Sequence, residues 1–125
     1  MTENEIARIV FAKGLEVHRE MGPGLLESAY EECLEYELTK SGAFVERQKS
    51  IPITYKGNTL ERGFIVDMVI NDKLLLELKS VRNIDPIHVA QTLTYLKLTN
   101  LCLGLLINFN VELFKNGVRR VVNGL

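Results

Sequence analysis

Two short segments place charge among apolar residues. In Phe64-Ile65-Val66-Asp67-Met68-Val69-Ile70 a single carboxylate interrupts an apolar run. Burying it costs on the order of several kcal/mol unless a partner or a metal ion compensates. In Leu74-Leu75-Leu76-Glu77-Leu78-Lys79 two charges interrupt a second run. The period of two along a strand puts Glu77 and Lys79 on one face and Leu74, Leu76 and Leu78 on the other. Across a hairpin, Asp67 reaches that same polar face. Two adjacent carboxylates repel each other unless a cation lies between them, and hard oxygen donors suit Mg²⁺ or Mn²⁺. Such an ion lowers the pKa of water and steadies a pentacovalent phosphate, while Lys79 orients the attacking water or offsets developing negative charge. That set is chemically sufficient for phosphodiester hydrolysis. The same three residues also suit the solvated face of an antiparallel sheet, where ion pairs contribute little.

Further polar residues fall at helical spacing. Glu27, Tyr30 and Glu31 sit at i, i+3 and i+4, and Glu27 alone also reads as a favourable acid near a helix N-terminus. His88, Gln91 and Tyr95 form a polar stripe that equally suits a solvated face, opposite Val89, Leu93 and Leu96. Histidine as a residue type suits a proton carrier, although a lone one such as His18 is more often a hydrogen-bonded packing residue. Neither histidine has a second at metal-ligand spacing. Cys33 and Cys102 form no CxxC pair and no zinc pattern, which reads as buried thiols in a reducing compartment. There is no Walker motif, GxGxxG or GxSxG, so the common nucleotide and acyl-transfer chemistries are excluded.

The elements that must position these residues follow from the pattern. Thr2 and Glu5 predict a capping box opening a helix that runs to about Glu20, where Gly22-Pro23-Gly24 ends it. A second helix is predicted from about Leu25 to Lys40, with Leu26, Tyr30, Cys33 or Leu34, and Leu38 on its apolar stripe. Phe44 to Tyr55 reads as an extended arm or strand, with a turn at Lys56-Gly57-Asn58. Thr59 to Ile70 and Lys73 to Ser80 form two strands joined through Asn71-Asp72, a primed hairpin turn. Asp85-Pro86 starts a third helix that extends to Leu98 or Thr99. Leu101 to Asn108 suits a strand buried on both faces. Asn116-Gly117 predicts that Val111 to Val122 folds as a last hairpin ribbon.

The fold class is therefore α/β: a mixed central sheet flanked by helices, in one domain spanning residues 1–125. With 46% hydrophobic and 25% charged residues, and no apolar run of membrane-spanning length, the expectation is a cytoplasmic protein. Met1 to Glu5 lacks a signal-peptide pattern. A net charge of -1 offers no basic footprint for tight, sequence-independent nucleic-acid binding. It does not exclude an acidic site that meets a polyanion through metal ions.

Several separated motifs carry a resemblance that covers nearly the whole chain. Gly24-Leu25-Leu26-Glu27-Ser28-Ala29-Tyr30, preceded by Val17-His18-Arg19-Glu20 and Gly22-Pro23, resembles the signature of the GxxExxY proteins. The likeness continues through Asp67, Glu77-Leu78-Lys79, His88-Val89-Ala90-Gln91, Tyr95-Leu96 and Leu106-Ile107-Asn108-Phe109. That family is similar to the PD-(D/E)XK nuclease superfamily. The resemblance implies a restriction-endonuclease-like core and a catalytic set of Asp67, Glu77, Lys79, Glu27 and Gln91. Within it, Asp67, Glu77 and the helix-borne Glu27 hold the metal. Gln91-x-x-x-Tyr95 resembles a motif that follows the catalytic lysine in exonuclease-like members. Val66 stands where proline is frequent before the aspartate, which leaves the ligand intact.

Three functions follow as expectations. The first is a Mg²⁺- or Mn²⁺-dependent nuclease whose partner is nucleic acid, DNA ahead of RNA. A minimal core of this kind calls for a second copy to complete a groove, hence a homodimer. The second is a catalytically silent nuclease-fold module that binds nucleic acid or a protein partner. The third is a metal-binding protein in which the carboxylates join His88 or His18.

Overall fold

The computed structural model describes residues 1–125, the Arg62 side chain excepted. Thr2 opens α1 (Glu3–Met21) with the expected box: its Oγ1 accepts from the Glu5 amide at 3.2 Å and Glu5 Oε1 accepts from the Thr2 amide at 2.9 Å. Ile6, Val10 and Val17 recur on one face and are buried. The chain then turns at Gly22 and Gly24, both at positive φ. Tyr30, fully buried, pins this turn by donating its hydroxyl to Gly22 O at 2.5 Å and accepting from the Leu25 amide at 3.1 Å. Leu26 is extended as the N-cap beyond that turn, so α2 begins at Glu27, two residues later than predicted, and runs to Lys40.

Strands β1 (Val45–Tyr55), β2 (Asn58–Ile70), β3 (Leu74–Lys79), β4 (Leu103–Asn108) and β5 (Val118–Val122) form one five-stranded sheet in the order β1-β2-β3-β4-β5. All neighbours are antiparallel except β3 and β4, which are parallel and joined by α3 (Pro86–Thr99). A parallel pair requires such a crossover. The β2–β3 hairpin turns at Asn71 and Asp72, both at positive φ, as the type I′ form requires.

Strand alternation divides the core. Leu74, Leu76 and Leu78 pack with Leu103, Leu105 and Ile107 against α1 and α2. Leu75 points the other way, into a smaller cluster with Leu96, Val89 and Leu93 of α3. The result is a sheet covered by helices on both faces, the mixed α/β architecture expected.

The last segment departs from expectation. Asn116-Gly117 closes a short 3-10 helix (Phe114–Gly117), and β5 pairs with β4 from Leu103↔Val122 to Ile107↔Val118. The C-terminal ribbon is thus β4–β5, with no strand at Val111. Tertiary packing overrides the local turn signal here. Phe114 is buried against Phe11 and Phe109, with ring centroids 5.2 and 5.6 Å away, and His18 Nε2 donates to Val111 O at 2.7 Å. Gly117 rests its bare Cα on the Asn108 carbonyl, an approach no side chain would permit.

Candidate active site

β2 and β3 pair only from Met68↔Leu76 to Ile70↔Leu74. Beyond Met68 the strands separate, and two side chains occupy the place of the missing ladder. The Asp67 amide donates to Glu77 Oε1 at 3.1 Å, and the Leu78 amide donates to Asp67 Oδ2 at 2.7 Å. Each carboxylate therefore satisfies a main-chain donor that the splay would otherwise orphan. Glu77 is only 6% exposed. Its neighbour Leu78 lies in the α1/α2 core, so Glu77 and Lys79 face α3, as strand periodicity predicted.

Burial, followed by the nearby Asp67 charge, pushes the Glu77 carboxyl up to about 8. Burial also raises Asp67, opposed by the Leu78 hydrogen bond, with Glu31 and Glu27 adding repulsion and Lys79 attraction. Among the described residues, no ion pair involves Asp67, Glu77 or Lys79. Two adjoining, desolvated carboxylates without a paired cation form a hard-oxygen donor pair whose chemistry suits a divalent ion.

Other residues singled out by sequence take different places. Glu27 is exposed at the start of α2, where Oε2 accepts from the Ser80 amide at 3.4 Å, and it acts on Asp67 and Glu77 through charge. Among the described residues, no group of three His, Cys, Asp or Glu side chains is gathered closely enough to hold an ion. Tyr95 stacks on Phe64, with centroids 4.3 Å apart and planes 12° apart. Burial, and then the charges of Glu77 and Asp67, raise its hydroxyl. Tyr95 is half-buried on α3, and Gln91 is exposed one helical turn before it. His18 is committed to Val111 O and His88 Nδ1 accepts from the Asp85 amide at 3.1 Å, closing the start of α3. Both histidines are thus tied to the backbone.

Two residues linked to Asp67 have no site role in the sequence expectations: Glu31, noted there only for its spacing from Glu27, and Gln48. Glu31, 7% exposed, receives Arg47 Nε at 3.2 Å and both of its oxygens receive Gln48 Nε2, at 2.9 and 3.1 Å. Gln48 Nε2 also lies 3.4 Å from Asp67 Oδ1. A signal for Glu31 existed: it shares the stripe of Leu34 and Leu38, where an acid is costly. Nothing local marks Gln48, which falls on the solvent-facing phase of β1.

No curated protein and no solved structure matches the chain. Among the described residues no helix is long and apolar enough to cross a membrane. The splayed strand pair carrying Asp67 and Glu-x-Lys lies within residues 4–121, which match the family profile described as the PD-(D/E)XK nuclease superfamily. The chain belongs to that superfamily.

Proposed function

We propose that this protein is a Mg²⁺- or Mn²⁺-dependent nuclease that hydrolyses phosphodiester bonds of nucleic acid, DNA in preference to RNA. The observation that carries the reading is the pair of adjoining carboxylates, Asp67 and Glu77, desolvated at the strand splay of a superfamily member. Asp67 and Glu77 would hold the ion, with Glu27 adding negative charge at the rim. A bound divalent ion supplies Lewis-acid polarisation and activates water at neutral pH. Lys79, on the Glu77 face, carries the positive charge that offsets a developing phosphorane. Tyr95, kept protonated by burial and by the nearby carboxylates, is a hydroxyl donor at the α3 side, with the Gln91 amide one helical turn away as a second polar group. The Gly24-to-Tyr30 signature supports placement among the GxxExxY proteins, and the small catalytic face suits a homodimer in the cytoplasm.

The test is cleavage of single-stranded DNA, double-stranded DNA and RNA with Mg²⁺, Mn²⁺ or chelator. Metal-dependent cleavage that disappears in Asp67→Asn is the expected result. Cleavage equal in wild type and Asp67→Asn marks a contaminant, and no cleavage of any substrate ends the reading.

One observation favours a silent, partner-binding module instead. Between α1 and α2 lies a groove of about 340 Å³, lined by the apolar Val17, Met21, Cys33 and Tyr36 and by four acids, Glu16, Glu20, Glu32 and Glu37. Its charge complements a basic polypeptide segment with apolar residues and repels a polyanion. Binding of a Lys/Leu amphipathic peptide that survives Asp67→Asn and chelator, but is lost on reversing Glu20 and Glu37 to lysine, would support that module.

A further inference from the structure

β1 and β2 keep one register from Val45↔Ile70 to Ile51↔Phe64, and Gln48 opposite Asp67 is the position where the ladder partners drop out. Gln48 adopts φ 49°. A residue with a Cβ rarely enters this left-handed region, and a strand has no use for it. Strain of this kind persists where surrounding contacts over-determine it. The contacts here are polar. The Gln48 amide bridges both oxygens of Glu31 to Asp67 Oδ1, while the Leu78 amide holds Asp67 Oδ2. Both Asp67 oxygens therefore face an N–H group, one from each flanking strand.

The identity of the donor matters as much as its place. A lysine or arginine between Glu31 and Asp67 would bind both, but it would neutralise them and compete with any other cation. The adjacent cation, Arg47, is directed elsewhere: Nε to Glu31 at 3.2 Å and Nη1 to Glu35 at 3.1 Å. Only a neutral amide reaches Asp67 from this strand.

We propose that Gln48 is a positioning residue of the site: its strained backbone and neutral carboxamide clamp Asp67 beside Glu31 while leaving the Asp67 charge available to a divalent cation. This rests on the metal-site reading above. Residues that orient a metal-binding carboxylate typically change metal affinity about ten- to a hundredfold when removed.

The test is Mn²⁺ titration calorimetry on the full chain, with amide spectra of the metal-free protein by ¹H–¹⁵N NMR. Gln48→Ala is expected to weaken Mn²⁺ about ten- to a hundredfold and to shift the Leu78 amide resonance. Gln48→Lys is expected to bind Mn²⁺ at least as poorly while melting no lower than wild type in chelator. Gln48→Gly relieves the backbone and is expected to melt no lower than Gln48→Ala, yet to bind Mn²⁺ no better. Mn²⁺ affinity in Gln48→Ala and Gln48→Lys within about twofold of wild type would overturn the role, since that lies far below a positioning effect. If wild type and Asp67→Asn both fail to bind Mn²⁺, the metal-site reading falls. In that case an unmoved Leu78 amide also removes the clamp, and a shifted one sustains it.

Discussion

Glu77→Gln isolates the electrostatic cost of the site. In the metal-free folded chain the Glu77 carboxyl is raised from 4.5 to about 8 by burial and then by Asp67. Below about pH 4.5 the carboxyl is protonated in both folded and unfolded chains and adds no slope. Between that value and about 8 the folded chain keeps a proton that the unfolded chain has released, so stability falls as pH rises. Above about 8 both states have released it and the loss is complete. With about 1.4 kcal/mol per pH unit, a carboxyl moved from 4.5 to about 8 removes roughly 4–5 kcal/mol across the window. Glutamine keeps an oxygen to accept the Asp67 amide and has no charge to desolvate. The assay is urea unfolding in chelator at steps between about pH 5 and about pH 9, with both chains compared at each step. The variant is expected to gain on wild type progressively toward high pH, by several kcal/mol at the end. Parallel curves for the two chains would refute the claim that burial holds this proton.

A divalent ion bound at this site would oppose that dependence. Because an ion competes with the proton for the same oxygens, the rise in melting temperature on adding Mn²⁺ is expected to grow with pH toward 8 and to vanish in Asp67→Asn; a pH-independent rise would place the ion elsewhere. Gly14 lies under the Phe114 ring, where an added Cβ would sit 2.5 Å from Cζ. Gly14→Ala is therefore expected to lower the melting temperature, since overpacking costs about 1–3 kcal/mol against a helix-propensity gain of about 1 kcal/mol. A higher melting temperature would contradict the packing of Phe114 on α1. Tyr30→Phe leaves Gly22 O and the Leu25 amide without their shared partner, a loss of about 1–3 kcal/mol measurable by urea unfolding. An unchanged midpoint would show that this hydroxyl does not pin the turn.

Much of the scaffold is legible in single segments because the forces involved are local. The capping box at Thr2, the glycines after α1 and the Asn71-Asp72 turn each depend on residues a few positions apart. Alternation likewise set Glu77 and Lys79 on the face opposite Leu74, Leu76 and Leu78, because a strand allows no other arrangement. The Asp67 and Glu-x-Lys pattern stood out for a related reason: charge inside apolar runs demands compensation.

Three-dimensional packing decided the rest. Asn116-Gly117 carries a hairpin signal, yet burial of Phe114 and the His18 bond to Val111 O draw this segment onto α1 and leave β5 to pair with β4. Nor does a local pattern reveal that β2 and β3 separate at Asp67, so that each carboxylate caps a main-chain amide of the site. Glu31 and Gln48, 17 residues apart in the chain, meet only when α2 packs beside β1. Residue types and spacing thus named Asp67, Glu77 and Lys79 as a candidate site. The desolvation of Asp67 and Glu77, and the company of Glu31 and Gln48, arise only where distant elements close on one another, since burial is a property of the folded surface and not of any segment.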